Sequence, residues 1–276
     1  MSRDRSATEP FGGFLVRVAT ASIIGVATLV AIIWGRPLGL GMLVSLVAML
    51  GVGEFYSITR REHRLPNEVF GVLASGTMPI AAALWGRLGL MSVVTGLLVL
   101  ALLWHIAFRQ VRTADTATTV FGAVYVGFLL SHFVLIRQLD SGTELALATI
   151  VSVWANDVFA YLVGSTVGRH KMAPRISPNK SWEGFLAGTS FTVLVWIGVF
   201  YLIDSPVSLG THVLVGIAVS LAAVIGDLAE SRLKREAGIK DSGRLLPGHG
   251  GFLDRFDSLI LVSVVAYYLL VFGGAV

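Results

Sequence analysis

Apolar runs long enough to cross a bilayer recur along almost the whole chain, and they leave few folds open. They fall at about 14–34, 38–58, 69–85, 90–107, 117–136, 144–164, 184–203, 207–229 and 256–274, where roughly 20 residues suffice to span a hydrocarbon core. Lipid offers backbone N–H and C=O groups no partner, so each run must satisfy its own by coiling into a helix. The period-two alternation of a membrane barrel is absent. The expectation is an all-α, polytopic integral membrane protein with about nine transmembrane helices. Charge is correspondingly scarce: 14% of the 276 residues are Asp, Glu, Lys or Arg, and the mean hydropathy is +0.78. The first run has no small-residue cleavage site after it and reads as a retained span rather than a signal peptide.

The scarce charges are distributed unevenly. Of the 21 Lys and Arg, 17 lie in the N-terminal tail and the segments near 59–68, 108–116, 165–183 and 230–255. Arg36, Arg87 and Arg137 fall on the opposite side, and Arg17 lies inside the first run. This bias predicts a cytoplasmic N-terminus, an outside C-terminus and a multi-pass protein of the cell membrane whose chemistry faces the cytoplasm. A basic inner face suits anionic lipid or nucleotide. Nucleic acid is a poor partner, because no soluble basic domain or aromatic platform accompanies the charge. The chain has no cysteine, which excludes disulfides, thiolate metal sites and cysteine nucleophiles.

Two regions follow from where the polar residues sit. Residues 1–143 read as a scaffold of about five helices with short connections. Residues 144–276 read as the catalytic region, with two long cytoplasmic loops, 165–183 and 230–255, rich in Gly, Pro, Ser and charge. The pairs Gly164/Gly168 and Gly184/Gly188, and the cluster Gly39, Gly41, Gly51 and Gly53, are read as sites of close helix approach. Asp157 and Glu54 are carboxylates inside apolar runs, and such groups are functional candidates by default. His105, His132 and His212 have no ligand spacing and read as packed histidines.

The last apolar run opens on LLPGHGGFLDRFDS, at residues 245–258. Asp254 and Asp257 stand at i and i+3, so a helix starting near Leu253 projects both from one face of its first turn. Asp227 lies near the end of the preceding run, where an unpartnered carboxylate facing lipid is costly. Two helix ends joined by the 230–255 loop can bring the three together as hard oxygen donors for Mg²⁺. A salt-bridge network with Arg232 or Arg255 is the alternative. Lys234, Arg235, Lys240 and Arg244 surround these positions, as phosphoryl or nucleotidyl transfer requires. Gly248, Gly250 and Gly251 would let backbone amides approach a phosphate, or simply form a turn, and His249 could donate to phosphate or cap that turn. In ISPNKSWEGFLAG, residues 176–188, Ser177-Pro178 can start a turn, Ser181 to Glu183 can start a helix, and Lys180 projects a cation at the membrane surface.

The run Ser231-x-Leu233-Lys234-Arg235, then Lys240-Asp241, then Leu246-Pro247-x-His249-Gly250-Gly251-Phe252-x-Asp254-Arg255-Phe256-Asp257, resembles the signature of the phosphatidate cytidylyltransferase (CDP-diacylglycerol synthase) family. The segment Ser177-Pro178-x-Lys180-Ser181-x-Glu183-Gly184 is similar to that family's other recurrent motif, with Ser181 where threonine is common. Val158 follows Asp157 where a small hydroxyl residue is common. The likeness covers 150–276 by motif and the first half by hydropathy alone. It implies a Mg²⁺-dependent reaction of CTP with phosphatidic acid at a membrane-embedded homodimer; whether a second cation joins Mg²⁺ is left open. By matching position it implies Asp227, Asp254 and Asp257 as metal ligands and Lys234, Arg235, Lys240, Arg255 and Lys180 as phosphate contacts. Asp241 is a further catalytic-site position, and Ser177, Ser181, Glu183, Ser231, His249, Gly250 and Gly251 are substrate-side positions. Two rivals frame the reading: a CTP-using polyprenol or lipid kinase that moves the γ-phosphate, and an ion-coupled transporter. A CDP-alcohol phosphotransferase fits less well, because its D-G-x-x-A-R run is not found.

Overall fold

The structure is a computed structural model that describes residues 9–62, 64–203, 207–243 and 250–275, with side chains from residue 18 onward. Its elements in order are α1 (Glu9–Ile33), α2 (Arg36–Arg61), α3 (Glu68–Ala107), α4 (Thr113–Gly122), a π-helical turn (Ala123–Phe128), α5 (Leu129–Ile136) and α6 (Gly142–Val167). After these come a hairpin of β1 (Lys171–Ala173) and β2 (Ser177–Ser181), then α7 (Trp182–Leu202), α8 (Leu209–Glu236) and α9 (Leu253–Phe272). The all-α, polytopic expectation holds, with that one small antiparallel sheet as an addition to it.

Seven helices among the described residues are long and apolar enough to cross a membrane, against the nine crossings expected. The difference has two sources. The described apolar part of α1 is the shorter stretch Val18–Ile33, and the expected spans 69–85 and 90–107 are both contained in α3. A straight helix of 40 residues would be about 60 Å long, twice a hydrocarbon core. Instead α3 breaks at Gly86, whose φ of 60° and ψ of −143° lie where a side chain is strained. The chain doubles back there, and the rings of Phe70 and Trp104, near opposite ends of α3, come within 6.4 Å. The carbonyls left open at the break are satisfied from elsewhere: Gln138 Nε2 donates to the C=O of Ala82 and of Ala83, each at 2.9 Å. One residue earlier, Arg137 Nε donates to the C=O of Ile32 at the end of α1 (2.8 Å).

These contacts gather the end of α1, the fold of α3 and the end of α5 at one end of the bundle, where Arg36, Arg87 and Arg137 were expected. The basic loops meet at the other. Leu65 N–H donates to Asp115 Oδ1 (2.9 Å), and Asn67 N–H donates to Thr119 Oγ1 (2.8 Å). Lys180 Nζ meets Asp227 Oδ2 at 2.8 Å, and Glu54 near the end of α2 accepts from the start of α9. The separation inferred from charge is thus a separation in space.

Glycine decides how closely the second-half helices pack. A Cβ on Gly188 would stand 2.8 Å from the Asn156 carbonyl oxygen, and one on Gly184 would stand 2.6 Å from that of Ala160, so α6 and α7 touch along their backbones. At Gly226 of α8 a Cβ would lie 2.5 Å from the Asp257 carbonyl oxygen of α9. In the expected first-half cluster, Gly41 packs on Pro79 and Ala83 and Gly51 on Val126, while Gly39 and Gly53 face open space. His132 and His212 are buried and bond to carbonyls one helical turn back, as packed histidines do.

Candidate active site

A cavity of ≈ 540 Å³ opens between α6, the hairpin, the start of α7 and α8, with Asp157, Tyr161, Lys171, Asn179, Lys180 and Asp227 on its wall. The hairpin holds Lys180 over this cavity. Ser181, next along, caps α7 by accepting the Gly184 N–H at 3.2 Å, which fulfils the expected helix start. Ser177 and Pro178 open β2 rather than a turn; the turn lies before them, closed by Ile176 N–H to the Ala173 carbonyl (3.1 Å). Glu183, expected on the substrate side, takes His170 instead, accepting from its backbone N–H and pairing with Nδ1 at 2.6 Å. It thereby ties the hairpin's entering strand to α7.

Asp227 faces the cavity from α8. Its Oδ2 pairs with Lys180 and its Oδ1 accepts from Ser231 Oγ at 3.1 Å, one turn along the same helix. Arg235 lies on the exposed side of α8 and reaches the Ile176 carbonyl of the hairpin turn at 3.5 Å. A second group stands beside this one. Lys234 Nζ lies between Glu230 Oε2 (2.5 Å) and Asp254 Oδ1 (2.6 Å), with only 14% of its side chain exposed. The other oxygen of Asp254 accepts backbone N–H groups from Ser242 (3.0 Å) and Gly251 (2.9 Å). Asp257 accepts the Ser258 N–H at Oδ1 (2.7 Å) and lies within electrostatic reach of Asp227 and Asp157.

The remaining expected residues are spread more widely. Lys240 and Asp241 are exposed on the loop after α8, and Gly250 sits at φ +81° beside the Asp254 carboxylate. Arg255 turns away from the 540 Å³ cavity to a separate, mainly apolar one of ≈ 290 Å³ between α1, α6 and α9. His249, with Gly248 and Arg244, lies outside the described residues. Five residues were not singled out from sequence: Glu230, Ser242, Tyr161, Lys171 and Asn179. Glu230 carried a usable signal, because it precedes Lys234 by four positions on a helix that enters lipid.

The sequence model of the cytidylyltransferase family matches residues 15–272. The chain belongs to the cytidylyltransferase family. It is 40% identical over 157 residues to a phosphatidate cytidylyltransferase of Staphylococcus haemolyticus, a match covering 57% of this chain and 60% of that protein. It is 43% identical over 150 residues to one of Bacillus subtilis (54% of this chain, 55% of that protein). It is 34% identical over 212 residues to one of Mycobacterium bovis (68% of each). The chain thus spans 60% and 55% of the length of the first two.

A divalent cation at this site would need hard oxygen donors from these carboxylates. The sequence pointed to Asp227, Asp254 and Asp257 together. Among the described residues no three His, Asp or Glu side chains gather closely enough to hold a metal ion. Asp254 is the member that stands apart, because both its oxygens are committed to Lys234 and to two backbone N–H groups. Asp227 and Asp257 fit better. They leave α8 and α9 next to the closest approach of those helices, and Asp257 Oδ2 accepts no hydrogen bond among the described residues. Two carboxylates are what Mg²⁺ ordinarily takes from a protein when a bound phosphate completes its shell. The charge balance also favours a cation: Asp157, Asp227, Glu230, Asp254 and Asp257 outnumber Lys171, Lys180 and Lys234 around the site.

Proposed function

We propose that the protein is a phosphatidate cytidylyltransferase, transferring CMP from CTP to phosphatidic acid and releasing pyrophosphate. The observation that carries this reading is the Lys180–Asp227 pair at the wall of a polar cavity, in a chain of this family. A nucleotide needs cationic and hard-oxygen groups side by side, and this pair supplies both. The cavity lies at the bundle end that carries the basic loops, which we assign to the cytoplasmic face of the cell membrane, where a soluble nucleotide can meet a lipid headgroup.

In this mechanism an oxygen of the lipid phosphate attacks the α-phosphorus of CTP in line, a P–O bond forms, and the bond from the α-phosphorus to the bridging oxygen breaks. The electron pair leaves with pyrophosphate. The attacking phosphomonoester is already anionic near neutral pH, so no protein nucleophile or strong general base is required. Lys180 moves from Asp227 to a phosphate oxygen as nucleotide binds, and its charge is worth more in the partly dry cavity than in water. Asp227 and Asp257 are the residues proposed to hold Mg²⁺, which would neutralise phosphate oxygens when bound. Asp254 orients Lys234 and holds the loop. Lys240 and Arg235 are proposed as outer phosphate contacts, with Ser177, Ser231, His249, Gly250 and Gly251 on the substrate side. A homodimer belongs to the same reading.

The test supplies purified protein with phosphatidic acid and CTP labelled at the α-phosphate, with and without Mg²⁺. Label is expected in the lipid fraction only with Mg²⁺ present. Lipid labelled from γ-phosphate instead would establish a kinase.

A further inference from the structure

Glu54 reaches the site from the half of the chain that looked like scaffold. It lies near the end of α2, is only 4% exposed, and belongs to neither motif. Its Oε2 accepts from Ser242 Oγ and from the backbone N–H of Leu253, each at 2.9 Å. The Leu253 N–H opens α9 and so has no partner within its own helix, and Phe252 before it supplies no side-chain cap. The cap comes from a carboxylate 199 residues earlier in the sequence.

The packing around that carboxylate is closed. A Cβ on Gly243 or Gly251 would run into it, so the loop backbone presses directly on Glu54. Among the described residues its Oε1 is buried without a hydrogen-bond partner. Ser242 joins Glu54 to the site. Its hydroxyl goes to Glu54 and its backbone N–H to Asp254 Oδ2, the oxygen that also takes the Gly251 N–H. Two carboxylates from different helices therefore hold Ser242, two residues past Lys240, together with Gly251 and Leu253 at the start of α9, while Asp254 holds Lys234 with its other oxygen.

We infer that Glu54 is a positioning residue for cytidylyl transfer: it fixes Ser242 and the start of α9, and through Ser242 and Asp254 the Lys234 ammonium, relative to the Lys180–Asp227 cavity. The inference rests on the proposed function above. Misplacing a charged group by about 1 Å costs about 100-fold in rate. Glu54→Ala is therefore expected to lower kcat about 100-fold while the KM for phosphatidic acid stays within about threefold. Glu54→Gln keeps one oxygen for both donors and should restore most of kcat. Ser242→Ala should lower kcat by a smaller factor, and the Glu54→Ala/Ser242→Ala double variant should be no slower than Glu54→Ala alone, because both act through one linkage. Hydrogen exchange in detergent should rise in Glu54→Ala for peptides covering 237–253 and stay unchanged in α6 and α7.

Wild-type kcat and wild-type loop protection in Glu54→Ala would overturn the inference. So would losses that add in the double variant, or exchange that rises across every helix. If Glu54→Ala does not fold, Ser242→Ala decides: it should lower kcat and raise exchange around residues 237–243, and wild-type values of both would overturn the inference. A wild-type protein that moves no label from CTP would overturn the proposed function, and the exchange comparison would then decide on the clamp by itself.

Discussion

Lys234 shows how one side chain can be structural and chemical at once. It is the sole cation between Glu230 and Asp254 among the described contacts, with 14% of its side chain exposed and Glu230 at 1%. Removing one partner of a buried ion pair leaves the others uncompensated, at about 3–5 kcal/mol. Lys234→Met is thus expected to lower the thermal midpoint in detergent as well as activity. Lys180 differs, because its pair with Asp227 is partly open and borders the cavity. Lys180→Ala should leave the midpoint within a few degrees yet lower kcat/KM for CTP by about 100-fold or more, as loss of a transition-state donor does. The carboxylates divide the same way. Asp257→Asn should raise the Mg²⁺ concentration giving half-maximal rate, whereas Asp254→Asn should act mainly through loop protection and stability. Equal Mg²⁺ dependence in both variants would return Asp254 to the metal.

Among the elements, α8 and α9 set the site through one contact. Gly226 lets the backbones meet at Asp257, so any side chain there pushes the helices apart next to the two carboxylates proposed to share a cation. Gly226→Val is expected to abolish turnover while the protein still inserts, with radiolabelled CTP incorporation and detergent size-exclusion as the measurements. The break in α3 offers a contrast. Gly86→Ala forces a side chain into a glycine-only conformation at about 1–3 kcal/mol, far from the site. It should lower the melting midpoint and leave the KM for CTP unchanged. The hairpin is the element that sequence patterning misses: Ser177-Pro178 carries turn chemistry, but pairing with 171–173 turns the same residues into a strand.

At the scale of the whole molecule, four basic loops meet at one end and three arginines mark the other, and the chain's lack of cysteine makes this testable. Single cysteines at Lys240 and Gln138 should react with a membrane-impermeant thiol reagent from opposite sides of the membrane, with Lys240 reached from the cytoplasm. The sequence by itself determined the helical class, the concentration of charge in the second half, the separation of basic loops from the three outer arginines, and Lys180 and Asp227 as candidates that meet in space. Lipid imposes these directly, since any long apolar run must close its own hydrogen bonds and any charge must find water or a partner. Tertiary structure decided which carboxylate meets which cation: Asp254 turned to Lys234 and the loop, Asp227 to Lys180, and Arg255 to another cavity. Helical spacing places Asp254 and Asp257 on one face, but it does not say which backbone N–H groups will compete for their oxygens. Nor could local pattern show that Glu54 closes the loop, because that contact joins residues almost 200 positions apart and exists only once the halves have packed.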